Sequence, residues 1–273
     1  MPNVSVNGCD LYYEIKGSGP TVVFVHGESH GMEMFEEPIA HFSKTNRCVA
    51  YYRRGHGKSA LPPYGYSLWN NYVDLAELMD RLEIQRAAFL AVAMTTPLVA
   101  TYALNHPDRV SALVLASWYE LEGYPLLEKR RKTKGVFMGD IRMKMEDVLK
   151  SKGRKALEDF LEESRDSMFP IFPKNAAARG KVVRMFASHA PGHYVKSAEY
   201  YTSLPNLLPQ MQHIKCPILG ICGTEDPSPD DPRMLAHVPN FRQEWIQGCR
   251  RFPMIEDPDA FNAVLEGFLA DAK

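Results

Sequence analysis

Two titratable side chains stand close together in the segment Glu28-Ser29-His30, directly after a short apolar run. An imidazole titrates near neutrality, so His30 suits general acid or base work, with Glu28 as the second candidate. The plainer alternative is a surface-loop histidine without a role. A second polar group lies towards the C-terminus, where Asp226 follows Gly223-Thr224-Glu225 and Arg250-Arg251 follows Cys249. A guanidinium stays protonated in proteins, with a pKa above ~12, so Arg251 cannot serve as an ordinary general base. The neighbouring arginines could lower the thiol pKa of Cys249, although no histidine is matched to it. His56, inside Arg54-Gly55-His56-Gly57, reads as a turn residue. The sequence holds no P-loop, no glycine-rich dinucleotide fingerprint and no His/Cys/Asp set at metal-ligand spacing. The expectation is a site with no metal and no cofactor.

These residues need a framework, and composition sets its class. The chain has 273 residues, 45% hydrophobic and 24% charged, which is ordinary usage for a globular α/β protein. Lys and Arg total 32 against 33 Asp and Glu, so the near-neutral balance gives no support to a nucleic-acid or membrane-surface partner. No apolar run approaches the ~20 residues of a membrane helix, and the N-terminus lacks a secretory pattern. With five scattered cysteines, none in a CxxC pair, the expectation is a cytoplasmic protein with reduced thiols.

Strand and helix signals alternate through the first third. Strands are expected at 9–15, 21–25, 47–52, 87–92 and 110–116, with helices at 70–82 and 95–105. Continuous apolar strands between amphipathic helices imply a mostly parallel sheet covered on both faces. Residues 121–205 break the pattern and read as helices at 143–152, 156–165, 176–188 and 193–201. They carry 17 Lys and Arg against 11 Asp and Glu, net +6, while the remainder carries 15 against 22, net −7. A basic helical layer over an acidic core either reflects attraction between the two or helps draw in an anionic ligand. Afterwards come strands at 216–222 and 243–246, a short helix at 232–236 and a closing helix at 259–269.

Several segments together resemble the α/β-hydrolase fold. His26-Gly27 resembles the oxyanion loop. Tyr52-Arg53-Arg54-Gly55-His56-Gly57-Lys58-Ser59 resembles the D-x-R-G-x-G-x-S segment, with Tyr52 where an Asp is usual. Asn105-His106-Pro107-Asp108-Arg109-Val110, the Gly223-to-Pro227 turn and the Gly248-to-Phe261 stretch follow in the family's order. The resemblance implies a mostly parallel central sheet with helices on both faces, a core of residues 1–120 and 206–273, and an inserted helical cap at 121–205. It is similar to the cap-containing esterase and lactonase branch.

The same resemblance exposes a gap in the chemistry. The family's G-x-S-x-G elbow falls on Ala91-Val92-Ala93-Met94-Thr95, so Ala93 takes the nucleophile position and neither glycine remains. A single engineered Ser→Ala exchange would have left those glycines, so natural loss is favoured over an engineered Ala93, the alternative. Arg251 takes the histidine position, and of the triad only the acid, Asp226, is kept. Ser-His-Asp hydrolysis needs all three as a unit. Asp226 and Arg251 should lie together as an ion pair, which either neutralises a buried carboxylate or lets Arg251 bind an anion. The backbone N–H groups of Met94 and Glu28 would form the oxyanion site. Thr95 and Thr96 either cap the following helix or, less in keeping with the family's geometry, offer a hydroxyl nucleophile. Trp118 and Tyr119 would line the pocket, and Glu120 adds a further acid/base candidate.

Three functions fit. One is an enzyme without serine chemistry, of lyase, decarboxylase, isomerase or cyclase type, acting on a small carbonyl compound between core and cap. The second is a non-catalytic small-molecule binder. The third is a hydrolase with relocated groups, such as His30 activating water. The expected partner in each is a small molecule, neutral or anionic. The sequence does not specify an oligomeric state.

Overall fold

The computed structural model describes residues 2–118, 121–125, 129, 138–167, 170–227 and 235–272. Eight strands form one sheet in the order β1-β2-β4-β3-β5-β6-β7-β8. They are β1 Asn3–Val6, β2 Cys9–Lys16, β3 Thr21–Val25, β4 Arg47–Tyr51, β5 Ala87–Val92, β6 Val110–Ala116, β7 Ile218–Gly223 and β8 Phe241–Ile246. Only β1/β2 and β2/β4 pair antiparallel; β4, β3, β5, β6, β7 and β8 run parallel. Every residue of β5 and β7 is buried, as strands covered on both faces require.

The helices of the core are α1 Glu36–Phe42, α2 Leu68–Arg81 and α3 Thr96–Asn105. Ser67 caps α2 by accepting from the Asn70 N–H, and Leu75, Leu78 and Met79 pack inward. Between β6 and β7 the described chain is helical: α4 Met138–Glu163, α5 Ala176–Ala187, α6 His193–Lys196 and α7 Ala198–Thr202. Gly153, at φ +83°, breaks α4 into the two helices the sequence suggests. The chain closes with α8 Pro253–Glu256 and α9 Pro258–Asp271. Most expected elements appear with small shifts of their ends. β1, α1 and the 3-10 turn before α1 were not expected, and most of the short helix expected at 232–236 lies outside the described residues.

The inserted helices are tied to the core by specific bonds. The Tyr66 N–H donates to Glu199, 2.7 Å, and the Leu68 N–H to Ser203 Oγ, 2.7 Å. Arg250 Nη1 donates to the Phe172 carbonyl at 2.9 Å, and His193 Nδ1 lies 2.8 Å from the Gly55 carbonyl. Each connects a core loop at the C-terminal edge of the sheet with the helical layer.

Candidate active site

Three non-glycine residues with left-handed backbone sit at the ends of adjacent strands: Ser29 after β3 (φ +56°), Ala93 after β5 (φ +56°) and Ser117 after β6 (φ +45°). Such residues cost of order 1–3 kcal/mol each and gather where a fold over-determines a functional turn. They mark the C-terminal edge of the parallel strands, where open α/β sheets place their sites. Ala93 keeps the sharp strand-to-helix turn of a nucleophile elbow, yet it carries only a methyl group and is 1% exposed.

The elbow's neighbours explain how it stands without glycines. Ala91 belongs to β5 and points into the core. Thr95 Oγ1 lies 3.0 Å from the Val92 carbonyl and 3.2 Å from the Val25 carbonyl, bridging the ends of β5 and β3. Thr96 Oγ1 donates to the Ala93 carbonyl at 2.9 Å. Both hydroxyls therefore bond backwards to carbonyls. This corrects the expectation that they cap α3, and Thr95, wholly buried under the turn, does not stand as a substrate-binding or nucleophilic group.

Asp226 and Arg251 meet as the resemblance implies. Arg251 Nε donates to Asp226 Oδ2 at 3.0 Å, with side chains 5% and 0% exposed. The Ser117 hydroxyl donates to the Arg251 carbonyl at 2.9 Å, so the end of β6 holds the arginine's backbone. Gly223 makes the approach of the two loops possible. A Cβ there would stand 2.1 Å from the Cys249 carbonyl oxygen and 2.3 Å from that of Arg250.

His30 is not a surface-loop residue. It is 3% exposed, and its ring packs 5.1 Å from both Phe186 of α5 and Phe252. A Cβ on Gly27 would lie 2.4 Å from His30 Nδ1 and 2.9 Å from the Val92 carbonyl, which sets the imidazole beside the elbow strand. Burial, reinforced by the Arg251 charge, holds its pKa well below the usual imidazole range. Its Nδ1 has no hydrogen-bond partner among the described residues.

The Glu28 side chain turns away from a simple acid/base role. Its carboxylate is salt-bridged to Arg53 Nη2 at 2.9 Å and lies 3.7 Å from Arg142 Nη1 of α4. Burial alone would raise its pKa; His56, Arg53 and Arg142 together hold it well below the usual carboxylate range. Arg53 also donates to Asn71 and stacks over the Tyr200 ring of α7 at 4.5 Å. Met94 is buried beside Ala93, 4% exposed.

Two further expectations are corrected. Trp118 is wholly buried and donates from Nε1 to Gln243 Oε1 at 2.8 Å, with its ring edge-on to Phe241. It packs in the core beside β7 and β8, because the left-handed Ser117 turns the chain after β6. Cys249 is not activated by its arginines; burial pushes its thiol up to about 12. Tyr119 and Glu120 lie outside the described residues. Tyr52, in the place of the usual Asp, donates its hydroxyl to Glu33.

The group that the sequence does not reveal is made of histidines. His26, His56, His189 and His193 are all buried, and Glu28 Oε1, His56 Nε2 and His193 Nε2 lie within 4.8 Å of one another. Their separation along the chain hides this group, since no motif links positions 28, 56 and 193.

These histidines give the fold an acid-labile heart. Burial lowers the pKa of His26 well below its ordinary value and that of His189 to about 3. The unfolded chain takes up protons below pH ~6.5 that the folded chain refuses, so stability is full above that pH and falls as pH drops towards 3. Each such histidine contributes a slope of about 1.4 kcal/mol per pH unit in that window. Urea midpoints at pH 8, 7, 6 and 5 are expected to stay level from 8 to 7 and then fall steeply. A level midpoint down to pH 5 would show that the histidines charge within the fold.

A parallel sheet of this order, a left-handed elbow after β5 and an acid on the turn after β7 define the α/β-hydrolase architecture. The chain belongs to the alpha/beta hydrolase fold family, whose model matches residues 20–258. It is similar to a putative 2-succinyl-6-hydroxy-2,4-cyclohexadiene-1-carboxylate synthase of Bacillus subtilis, 25% identical over 98% of this chain and 99% of that one. It is also similar to 3-oxoadipate enol-lactonase 2 of Acinetobacter baylyi, 24% identical over 92% and 88%. Among solved structures, the enol-lactonase of Burkholderia xenovorans LB400 superimposes with a TM-score of 0.80 at 24% identity, covering 98% of this chain and 100% of that one.

Proposed function

We propose that this protein is an α/β-hydrolase-superfamily enzyme that works without a serine nucleophile. Its substrate is a small carbonyl compound bound between the core and the inserted helices, which act as a cap. The observation that carries this reading is the pairing of an intact elbow with a missing hydroxyl: Ala93 keeps φ +56°, while Arg251, bonded to Asp226, stands where a base is needed. An elbow, a helix N-terminus and a fixed cation can stabilise an enolate or carboxylate. They cannot form an acyl-enzyme. Lyase, decarboxylase, isomerase and cyclase reactions need the first kind of help and not the second.

In this reading the Met94 and Glu28 amides receive the carbonyl oxygen and Arg251 attracts an anionic group of the substrate. Proton transfer falls to His30, whose buried Nδ1 has no partner among the described residues, with Glu120 as the second candidate. The synthase relative, whose named product is a cyclohexadiene carboxylate, supports both the non-hydrolytic chemistry and the anionic group. The rival, a non-catalytic binder, shares the degenerate triad but predicts no turnover.

The test is proton–deuterium exchange alpha to the carbonyl of small keto acids and enol-lactones, followed by NMR. Exchange or turnover is expected with the wild type and should be lost in His30→Phe and in Arg251→Met/Asp226→Asn. Ligand-induced thermal shifts without exchange on any compound would favour the binder. Saturable p-nitrophenyl ester hydrolysis dependent on His30 would instead favour the relocated hydrolase.

A further inference from the structure

We infer that Glu28, His56 and His193 form a binding site for a divalent transition-metal ion of the zinc class, independent of the chemistry proposed at Ala93. Glu28 Oε1 lies 3.4 Å from His56 Nε2 and 3.7 Å from His193 Nε2. The carboxylate side chain is 2% exposed and both imidazoles 0%. Among the described residues none of these three atoms has a partner in good hydrogen-bond geometry, and the nearest approach, Glu28 to His56, is an electrostatic contact at 3.4 Å; such a state is costly for buried polar groups.

Their polarity is fixed from behind. His56 Nδ1 lies 3.0 Å from the Arg54 carbonyl and His193 Nδ1 2.8 Å from the Gly55 carbonyl. A carbonyl only accepts, so both Nδ1 atoms carry the proton, and in the neutral rings both Nε2 atoms present lone pairs. These face a carboxylate oxygen that is itself an acceptor. Three inward acceptors with no donor among them call for a cation. A ligating imidazole is commonly oriented by a carbonyl on its other nitrogen, as both are here.

Two of the three spacings also fit, and the two Nε2 atoms lie within 4.8 Å of each other. Ligands about 2.0–2.2 Å from zinc stand about 3.4 Å apart at the corners of a tetrahedron. Neutral imidazoles with one carboxylate suit zinc, cobalt or iron and leave a position open. Glu28 Oε2 is occupied by Arg53 at 2.9 Å, which leaves Oε1 to the ion. Arg142 Nη1, the nearest other cation at 3.7 Å from Oε1, donates to Ser197 Oγ at 2.9 Å.

The three ligands come from separate parts of the fold. Glu28 follows β3, His56 follows β4, and His193 opens α6 in the inserted helices. A bound ion therefore fastens the helical layer to the core beside the candidate active site.

The experiment uses the full chain, stripped with EDTA and titrated with Co2+ and Zn2+. One Co2+ per chain is expected, with the visible bands of a four-coordinate ion that Zn2+ abolishes. Zn2+ at a hundredfold excess over its Kd should raise Tm by about 5 °C. Both effects should vanish in His193→Gln and His56→Gln and persist in His41→Gln, the half-exposed histidine. If either variant fails to fold by circular dichroism, the stoichiometry and spectrum of the wild type decide. Absence of stoichiometric Co2+ binding in the wild type overturns the inference and leaves a shared proton in the cluster. Binding that survives in folded His193→Gln and His56→Gln overturns it equally, because the ion then sits elsewhere.

Discussion

Ala93→Ser combined with Arg251→His is expected to hydrolyse p-nitrophenyl acetate on the order of 10³-fold faster than the wild-type chain. The parts that are hard to rebuild are already in place. Ala93 holds the left-handed turn that lifts a nucleophile out of the strand. Asp226 is buried on the turn after β7 and faces residue 251. An imidazole at 251 would find in Asp226 the carboxylate that selects its tautomer. A serine at 93 would inherit the same strained backbone. Each single change should give little, because nucleophile and base act as a unit. Initial rates for both single variants and the double variant measure this directly. A folded double variant no faster than the wild type would mean that the elbow and the acid turn are not in catalytic register.

Arg251→Met alone is expected to cost about 3–5 kcal/mol of stability, the usual penalty for removing one partner of a buried ion pair. The Asp226 carboxylate is 0% exposed and would lose its bond from Arg251 Nε. Adding Asp226→Asn removes the other buried charge of the pair and should recover most of the loss. Urea denaturation of the two single variants and the double variant supplies a full cycle. A loss below about 1 kcal/mol for Arg251→Met would identify the pair as solvent-relaxed and weak. This prediction also separates two effects that activity alone confuses, since a dead Arg251→Met enzyme could simply be an unfolded one.

The sheet was readable because its central strands are unusually pure. Thr21–Val25, Ala87–Val92 and Val110–Ala116 are apolar runs bounded by turns, and all three have the expected ends. β1 escaped notice because it has four residues and owes its strand to antiparallel pairing with Cys9–Tyr12. α1 was hidden by Pro38, which looks like a breaker but falls in the first turn of the helix, where its missing N–H does no harm.

Site residues were legible where a backbone motif carries them and illegible where burial decides. The meeting of Asp226 and Arg251 follows from family order alone. The state of Cys249 does not, because adjacent arginines argue for a low pKa and only the fold shows the desolvation that reverses it. Trp118 lies one residue past an unexpected left-handed serine, so counting along the strand sends it to the wrong side. The histidine cluster depends on docking α6 against the loops after β3 and β4. No local pattern encodes that long-range meeting.

The torsion at residue 93 bears on how such proteins are recognised. An alanine gains nothing by sitting in the left-handed region, and a motif search for a nucleophile passes over it. What this chain keeps at that point is a bond rotation. A turn of this sort is written in dihedral angles, and a scan of structures for non-glycine residues at positive φ between a buried parallel strand and a helix would find chains that hold it without a nucleophile.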